Sequence, residues 1–401
     1  MLDDDDTESG ELRLFLEEVC CDLLRFEHVR DDGLGPEAVE TIREVRLDEP
    51  GTFADIVVRP GDAPPYFVEI KWGYDTERLV HRLARKYRRA GQSPCRRLLV
   101  ISDLVGTPAW PAAEAALREA VDPSISLQCW GEREVLARVR ACFGLDATQL
   151  DRSSAREIRD SIMRAEWRLA FGDADDRLAP TLLWHFSAWS LKRLREEKGY
   201  APDRILAPGT YRNVAIVMAD ICSFSSYVRD TRDEALVRRS LTAFYSQARQ
   251  AIVETGGMID KFVGDEVIGM YGFPDARPDF ASNALRAARR LIDIGNSVAE
   301  HWQSRIDRVQ KSGGVHIGIA VGDLNLMPLR AFSSTHHGFI GDSLNMTARL
   351  MSSAGPSEIY VSNGLLNALP ARERQGFVES PPVDGKNVGL IRCFRLAANA
   401  G

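Results

Sequence analysis

The chain has 401 residues, 44% of them hydrophobic and 27% charged, with a formal net charge of −7 at pH 7. This length predicts two or three globular domains, and the acidic balance disfavours a surface devoted to duplex nucleic acid or anionic lipid. No run of about 18 apolar residues is present to span a bilayer, and the acidic start MLDDDDTESG is not typical of a signal peptide. We therefore expect a cytoplasmic protein with no membrane partner.

The first 148 residues predict an α/β domain. ELRLFLEEVCCDLLRF has apolar residues at helical spacing, and TFADIVVRPGDAPPYFVEIKWG predicts two strands joined by a Pro-Gly turn. A helix near residues 75–90, the strand RRLLVIS, a helix near 110–120, the strand SISLQCW and the helix EREVLARVRACF follow. Alternating helices and strands of this kind are typical of α/β domains.

Residues 149–211 predict a helical connector. AREIRDSIMRAEWRLAF and PTLLWHFSAWSLKRLREEKG have helical patterns, and GYAPDRILAPGTYRN is a joint rich in Pro and Gly. One interpretation is that these helices pair between subunits.

Residues 212–401 predict an α+β domain. In chain order they give the strand VAIVMADI, the helix EALVRRSLTAFYSQARQAIVETGG, a hairpin within MIDKFVGDEVIGM and a helix from about 279 to 305. The strand GVHIGIAVG, the helix DSLNMTARLMSSA and the strands EIYVS and RCFRLA follow. The order β-α-β-β-α-β indicates a ferredoxin-like core with extra strands.

Seven cysteines are scattered along the chain, with no Cys-x-x-Cys pair and no histidine at zinc-ligand spacing. This pattern indicates neither a disulfide framework nor a zinc site. We expect reduced and mostly buried thiols at Cys20, Cys21, Cys95, Cys129, Cys142, Cys222 and Cys393.

Two aspartates of the C-terminal domain are candidate metal ligands. Asp220 ends a buried strand just before a small polar stretch and a helix, and Asp265 lies at the Gly turn of the hairpin. Carboxylates suit Mg²⁺ or Mn²⁺, while N–H groups at a helix start suit phosphates. Two such ions about 3.5–4 Å apart support in-line attack at phosphorus. Taken singly, each Asp is more often a helix cap or a turn residue.

Asn345 and Arg349 are four residues apart in DSLNMTARLM and therefore share one helix face. An amide and a guanidinium on one face can hold a ribose oxygen and a phosphate in a charged transition state. An isolated Asn/Arg pair is more often solvated.

The stretches VMADICSFSS, GGMIDKFVGDEVIGMYG and GFIGDSLNMTARL resemble, in order and spacing, the motifs of the class III nucleotidyl cyclases, over residues 212 to about 397. The resemblance implies a lyase that converts a nucleoside triphosphate to a 3′,5′-cyclic nucleotide and pyrophosphate. It also implies a homodimer with two shared sites, because in this family the metal carboxylates come from one subunit and the Asn/Arg pair from the other.

The resemblance also implies a role for each motif residue. Asp220 and Asp265 would bind two divalent ions, Mn²⁺ or Mg²⁺, together with the backbone carbonyl of Ile221. Asn345 would orient the ribose, and Arg349 would stabilise the pentavalent transition state. The terminal phosphates would lie against Cys222, Ser223, Phe224 and Ser225.

The base-recognition positions depart from the family pattern. Lys261 matches the lysine that reads the base in adenylate cyclases, but Gly338, seven residues before Asn345, replaces the usual Asp, Thr or Cys. A glycine offers the base no side-chain hydrogen bond, and one lost buried polar partner costs about 1–3 kcal/mol. Guanine is disfavoured as well, since the usual Glu is missing at the Lys261 position. The family's phosphate lysine is also absent: Asp384 stands at its place, and Lys386 is either its substitute or a solvated turn residue.

These departures, with ADICSFSS in place of the commoner Gly before Phe, resemble the pyrimidine cyclases of bacterial antiphage signalling, which make cyclic UMP or cyclic CMP. Lys261 can donate to a carbonyl oxygen, and uracil offers two of them, whereas the amine of cytosine needs an acceptor of its own. UTP is therefore the first expected substrate and cUMP the expected product. One alternative is an adenylate cyclase making cAMP. Another is a nucleic-acid-sensing or nucleolytic protein whose C-terminal domain only binds nucleotide.

The N-terminal domain contains Asp55, Glu69 and Lys71, which resemble the signature of PD-(D/E)xK nucleases, with Glu18 on the preceding helix. The resemblance implies that Asp55 and Glu69 would hold Mg²⁺ and that Lys71 would steady the attacking water. A catalytically silent sensor or dimerisation domain of the same fold, and an unrelated fold whose strand-end charges face solvent, remain open alternatives. Nucleic acid is expected as a partner only through this domain.

Overall fold

The computed structural model describes residues 7–47, 52–88, 96–231, 234–303, 313–329, 337–385 and 389–397. Lys386 and Cys95 lie outside these ranges. The chain divides into two compact units, Met1–Ala165 and Glu166–Gly401. Within the described ranges, no helix is both long and apolar enough to cross a membrane.

The first unit is built on a five-stranded mixed sheet in the order β1-β2-β3-β4-β5. The β1–β2 and β2–β3 pairs are antiparallel, and the β3–β4 and β4–β5 pairs are parallel. The strands are β1 (Val39–Arg46), β2 (Phe53–Pro60), β3 (Tyr66–Ile70), β4 (Arg97–Ile101) and β5 (Ser126–Trp130). The helices are α1 (Thr7–Asp31), α2 (Thr76–Tyr87), α3 (Trp110–Ala120) and α4 (Glu132–Phe143).

Helices cover both faces of this sheet. One hydrophobic core joins α1 and α4 to the face that includes Ile56 and Val58, and a second joins α2 and α3 to the face that includes Ala54 and Val57. The predicted α/β fold of this unit is confirmed. β1 was not predicted, because three of its buried positions, Thr41, Arg43 and Glu44, are polar or charged.

Helices occupy the predicted connector. They are α5 (Arg152–Phe171), α6 (Ala179–His185), α7 (Ala188–Lys198) and α8 (Pro202–Ile205). The joint before the C-terminal domain is shorter than expected, because the next strand, β6, begins at Gly209 and not at Val214.

The second unit contains an eight-stranded sheet in the order β12-β13-β11-β9-β6-β8-β7, with β10 paired to β9. The strands are β6 (Gly209–Ile221), β7 (Met258–Val263), β8 (Glu266–Tyr271), β9 (Val315–Pro328), β10 (His337–Ile340), β11 (Glu358–Ser362), β12 (Val378–Asp384) and β13 (Leu390–Ala397). The remaining helices are α9 (Phe224–Asp230), α10 (Glu234–Glu254), α11 (Phe280–Gln303), α12 (Asp342–Ser353) and α13 (Asn363–Ala368).

The main core of this unit lies between the sheet and the helices α10, α11 and α13, and α12 packs with a smaller cluster on β9 and β13. The order β6-α10-β7-β8-α11-β9 confirms the predicted ferredoxin-like core, and β10 and β12 are strands that were not predicted. The six cysteines within the described residues are unpaired, and four of them are buried.

Candidate active site

Asp220 lies near the C-terminal end of β6. Residues 214–219 of β6 are all buried, since β6 pairs on one side with β8 and on the other with β9. This register puts Asp220 opposite Glu266 on β8 and His316 on β9. The carboxylate therefore stands at a fixed strand end beside the β7–β8 hairpin.

Asp265 is placed by the turn of that hairpin. Gly264 adopts a φ of 65°, a conformation that favours glycine, and its carbonyl accepts a 2.5 Å hydrogen bond from the Tyr245 hydroxyl of α10. The predicted hairpin and its Gly-Asp turn are thus present, and α10 holds the turn from outside the sheet.

The two aspartates meet side chain to side chain. Burial and the neighbouring charge of Asp220 raise the pKa of Asp265 to about 7, and the two carboxyl groups share a hydrogen bond. Burial also raises the pKa of Asp220, although its hydrogen bonds to Asp265 and to the N–H of Ile221 oppose that effect. The pKa of Glu266 is raised by burial and by the charge of Asp265. One proton between Asp265 and Asp220 therefore relieves the repulsion of two half-buried carboxylates.

This pair fits a hard divalent cation, which would replace the shared proton and supply more positive charge at the same point. Within the described ranges, no group of three or more His, Cys, Asp or Glu side chains is arranged to hold a metal.

The segment after Asp220 makes a sharp turn into α9. Ser223 adopts a φ of 62°, rare for a residue with a side chain, and its carbonyl accepts the N–H groups of Ser226 and Tyr227. Cys222 is buried, and burial raises the pKa of its thiol to about 12, so it stays protonated. Phe224 packs near Trp302 with ring centroids 5.8 Å apart, and Ser225 is exposed. Contact of these residues with phosphates stays a prediction.

Asn345 and Arg349 lie on the exposed face of α12. The opposite face packs so closely on β9 that a Cβ on Gly318 would come within 2.4 Å of the Thr347 carbonyl and the Met351 N–H. Within the described part of the chain, neither the Asn345 nor the Arg349 side chain has a hydrogen-bond or ion-pair partner. The two side chains therefore share one exposed face, as their spacing predicts, and their contact with a ribose or a phosphate stays a prediction.

The base-recognition positions lie on β7 and β10. The Lys261 side chain is 49% exposed, and its Nζ lies 3.2 Å from the Asp260 carboxylate. Gly338 pairs with Met327 across β10 and β9, and among the described residues the atoms nearest to a Cβ there belong to the exposed Leu329 side chain, at 2.8 Å. A Cβ at 338 therefore requires the Leu329 side chain to shift. The predicted phosphate contact of Lys386 concerns a residue outside the described ranges.

In the first unit, Asp55, Glu69 and Lys71 do come together, but they are buried rather than solvated. Lys71 Nζ lies 2.5 Å from Asp55 and 2.6 Å from Glu69. Two groups that sequence reasoning missed complete the cluster: Lys86 Nζ lies 2.7 Å from Glu69, and the Tyr87 hydroxyl donates to Glu69 at 2.6 Å. Both stand on α2, where a basic last turn gave no sign of a buried partner.

Glu18 does not join this cluster, contrary to the expectation from the nuclease resemblance. Its carboxylate forms an exposed ion pair with Arg159 at 2.9 Å. The buried carboxylate of α1 is its neighbour Glu17, which pairs with Arg43 of β1 at 2.8 Å. The helical register thus turns Glu17, and not Glu18, toward the sheet.

One family model matches most of the second unit. Residues 206–392 match the family model described as the adenylate and guanylate cyclase catalytic domain. The uncharacterized protein Rv1319c of Mycobacterium tuberculosis is 29% identical over 171 residues, which is 41% of this chain and 29% of that protein. The match to this mycobacterial relative thus spans less than a third of its length.

Two solved structures are similar to the same part of the chain. The adenylyl cyclase CyaB from P. aeruginosa is 20% identical with a TM-score of 0.41, covering 47% of this chain and 96% of that one. The guanylyl cyclase Cya2 is 22% identical with a TM-score of 0.40, covering 47% of this chain and 92% of that one.

Proposed function

We propose, from the premise that residues 206–392 are a class III adenylate and guanylate cyclase catalytic domain, that this protein is a nucleotidyl cyclase. It would convert a nucleoside triphosphate to a 3′,5′-cyclic nucleotide and pyrophosphate. The observation that carries the proposal is the pair of half-buried aspartates, Asp220 and Asp265, whose side chains are hydrogen-bonded to each other at the end of β6. Such a pair suits a site that receives cations together with a polyphosphate.

Two divalent ions, Mn²⁺ or Mg²⁺, would supply charge neutralisation of the triphosphate and activation of the ribose 3′-hydroxyl. Asp220 and Asp265, with the Ile221 carbonyl, would hold them. The turn at 222–225 would lie along the terminal phosphates, since it follows Asp220 directly in the chain. The protein's contribution is mainly positioning and electrostatic stabilisation, as phosphoryl chemistry of this kind requires.

The half of the site that contains Asn345 and Arg349 would come from a second copy of the chain. Asn345 and Arg349 are exposed and have no partner within the described residues. Exposed, unpartnered polar groups are expected at a site that is completed by a neighbouring subunit. Three apolar side chains are exposed as well: Met327 of β9 by 46%, Leu329 just after β9 by 68% and Ile340 of β10 by 56%. An exposed apolar patch beside these strands favours a homodimer that covers it.

UTP is the substrate that the site favours, with cUMP as the product. Gly338 leaves the base without a side-chain acceptor, while Lys261 has three ammonium donors and no acceptor. Uracil, with two carbonyl oxygens, fits a donor-only site better than adenine or cytosine, whose exocyclic amines need an acceptor. The product would act as a second messenger, in the antiphage signalling that the pyrimidine-cyclase resemblance implies. Because its substrate is a cytoplasmic nucleotide, the protein would work in the cytoplasm.

The first unit would regulate the cyclase rather than cleave nucleic acid. Its two buried carboxylates, Asp55 and Glu69, are already neutralised by Lys71 and Lys86. The Lys71 charge holds the pKa of Asp55 well below its usual range, although burial opposes this. A metal-dependent nuclease needs such carboxylates for its cation, and here an ammonium group lies between them.

The test is incubation of the purified protein with ATP, GTP, CTP and UTP in turn, with Mn²⁺ present and products identified by mass spectrometry. We expect cUMP and pyrophosphate from UTP. A protein that makes only cAMP would keep the cyclase proposal and overturn the choice of base. Absence of pyrophosphate release with all four nucleotides would contradict the cyclase proposal itself.

A further inference from the structure

The strand that carries Lys261 is irregular. In the β7–β8 pair, Ile259 stands opposite Gly269 and Lys261 opposite Ile268, so that Asp260 has no partner on β8. This extra residue makes a β-bulge. In a regular strand, successive side chains point to opposite faces of the sheet, and neighbours in sequence do not meet. A bulge lifts that restriction, because it changes the direction of the side chains at the extra residue.

The bulge brings two neighbouring charges together. The Asp260 carboxylate is only 8% exposed, and its Oδ2 lies 3.2 Å from Lys261 Nζ, whose side chain is 49% exposed. Within the described residues, Oδ2 has no hydrogen-bond partner, so this ion pair is its compensation for burial. A buried carboxylate is costly unless a charge pairs with it. The Lys261 ammonium is therefore held at the edge of the site by a fixed, buried group.

A hydrogen bond from the helix α6 also stabilises the bulge. The Ile259 carbonyl is 2.6 Å from Nδ1 of His185, the last residue of α6. Burial lowers the pKa of His185, so the ring is neutral near pH 7 and its Nδ1–H donates to that carbonyl. His185 precedes the segment that matches the cyclase family, so a residue outside the catalytic domain supports the strand that carries Lys261.

We propose that Asp260 is a positioning residue that fixes the Lys261 ammonium and thereby sets which base the site accepts. The inference rests on the proposed cyclase function. A free lysine side chain samples many rotamers and can follow a base of either size. When the ammonium is held 3.2 Å from a buried carboxylate, its position is restricted, and a base without a carbonyl oxygen within its reach is excluded.

The central experiment is Asp260→Asn, which keeps the shape of the side chain and removes its charge. We expect the ratio of kcat/KM for the preferred nucleotide to that for each of the other three to fall roughly tenfold, the size of effect expected when one partly buried ion pair is lost. The change should appear in KM, with kcat for the preferred nucleotide nearly kept. The matched control is Asp275→Asn, which removes a surface partner of Lys198 at 3.2 Å and should leave the ratio unchanged.

A double-mutant cycle with Lys261→Met separates positioning from general damage. If Asp260 acts through Lys261, adding Asp260→Asn to Lys261→Met changes the ratio no further. An equal further fall in the double variant would overturn the inference. Should Asp260→Asn not fold, Asp260→Glu replaces it in the cycle: it keeps the charge but moves the carboxylate, and an unchanged ratio there would equally count against positioning.

A missing cyclase activity and a missing role of Asp260 give different experimental results. If the wild-type protein makes no cyclic product from any nucleotide, the proposed cyclase function is wrong, and this inference falls with it. If the wild type turns over but Asp260→Asn keeps the same ratio within twofold, only the role given to Asp260 is overturned.

Discussion

At the scale of single residues, Asp220 and Asp265 contribute charge and little packing. Replacing Asp265 by Asn removes one of two carboxylates that repel each other when both are ionised, above about pH 7, and keeps the volume. We therefore expect Asp265→Asn to lose turnover by at least about a hundredfold while its melting temperature stays equal or rises, since relieving like-charge repulsion is stabilising. Pyrophosphate release and thermal denaturation without metal measure the two effects. Near-normal turnover would refute the metal role of this pair.

Gly338 is a second residue whose change is informative. Gly338→Asp supplies an acceptor for an exocyclic amine, so we expect UTP use to weaken and ATP use to rise, by roughly tenfold in the ratio of their kcat/KM values. Gly338→Ala is the control, because its Cβ also meets the Leu329 side chain and brings no acceptor. If the Ala variant shifts the ratio as far as the Asp variant, steric contact and not hydrogen bonding is the cause.

Some of this site could be predicted from the sequence and some could not. The turn position of Asp265 was predictable because a Gly-Asp pair between apolar runs indicates a turn, and the shared helix face of Asn345 and Arg349 because they are four residues apart. The ion pair of Asp260 with Lys261 was not, since it needs a bulge that exists only when β7 pairs with β8.

At the scale of elements, α6 is attached to the strand β7 through its last residues. Arg249 of α10 donates to the carbonyls of Leu183 and Trp184, the Trp184 ring contacts Phe262 at 6.5 Å, and His185 donates to Ile259. The carbonyls at the end of a helix lack partners inside it, so Arg249 also stabilises α6. None of these contacts was predictable, because they join segments more than 60 residues apart in the chain.

His185 makes this attachment sensitive to pH. Its pKa is lowered by burial, so the unfolded chain binds a proton below about pH 6.5 that the folded chain resists. The stability that His185 contributes is therefore fully present above that pH and is lost as the pH falls through its lower folded pKa. We expect the melting temperature of the wild type to fall more steeply between pH 7.5 and pH 5.5 than that of His185→Gln, whose amide donates at every pH. Parallel curves for the two proteins would contradict this.

In the first unit, the helix α2 supplies Lys86 to the strands β2 and β3. Lys86→Met leaves the buried Glu69 and Asp55 with one ammonium group, so we expect a loss of about 3–5 kcal/mol. Mn²⁺ should then restore part of that stability, because a divalent cation can take the place of the lost charge. The measurement is thermal denaturation with and without Mn²⁺ in an Asp265→Asn background, which removes a carboxylate of the other metal site. If Mn²⁺ changes the melting temperature equally with Lys86 present and absent, no cation binds at Asp55 and Glu69.

The strands of this unit show where pattern-based prediction fails. β2 and β3 were predictable from their continuous apolar runs and the Pro-Gly turn between them. β1 was missed because Arg43 and Glu44 are buried in it, and the partner of Arg43, Glu17, comes from another element of the sequence. In the sequence of a single strand, a charged residue whose buried partner lies on another element looks like a solvent-exposed residue.

At the scale of the whole molecule, the proposed homodimer makes a definite prediction about mixtures. Asp220→Ala and Arg349→Ala should each be inactive alone, because one lacks a metal ligand and the other the transition-state cation. On mixing, a heterodimer would keep one site with every group, so we expect about a quarter of wild-type turnover if subunits exchange at random. Turnover is measured after subunit exchange has been demonstrated with differently labelled chains. No recovery after exchange would show that each site is built within one chain.

The close packing of α12 on β9 makes the proposed activity depend on a residue that has no side chain, Gly318. Gly318 leaves less than the width of one methyl group between the strand and the backbone of the helix. Any side chain there would lift α12 and carry Asn345 and Arg349 outward by a fraction of an ångström to an ångström, and a misplacement of about 1 Å can cost a hundredfold in rate. The positions of Asn345 and Arg349 are thus limited by the absence of a Cβ at Gly318, on the opposite side of the helix from these two side chains.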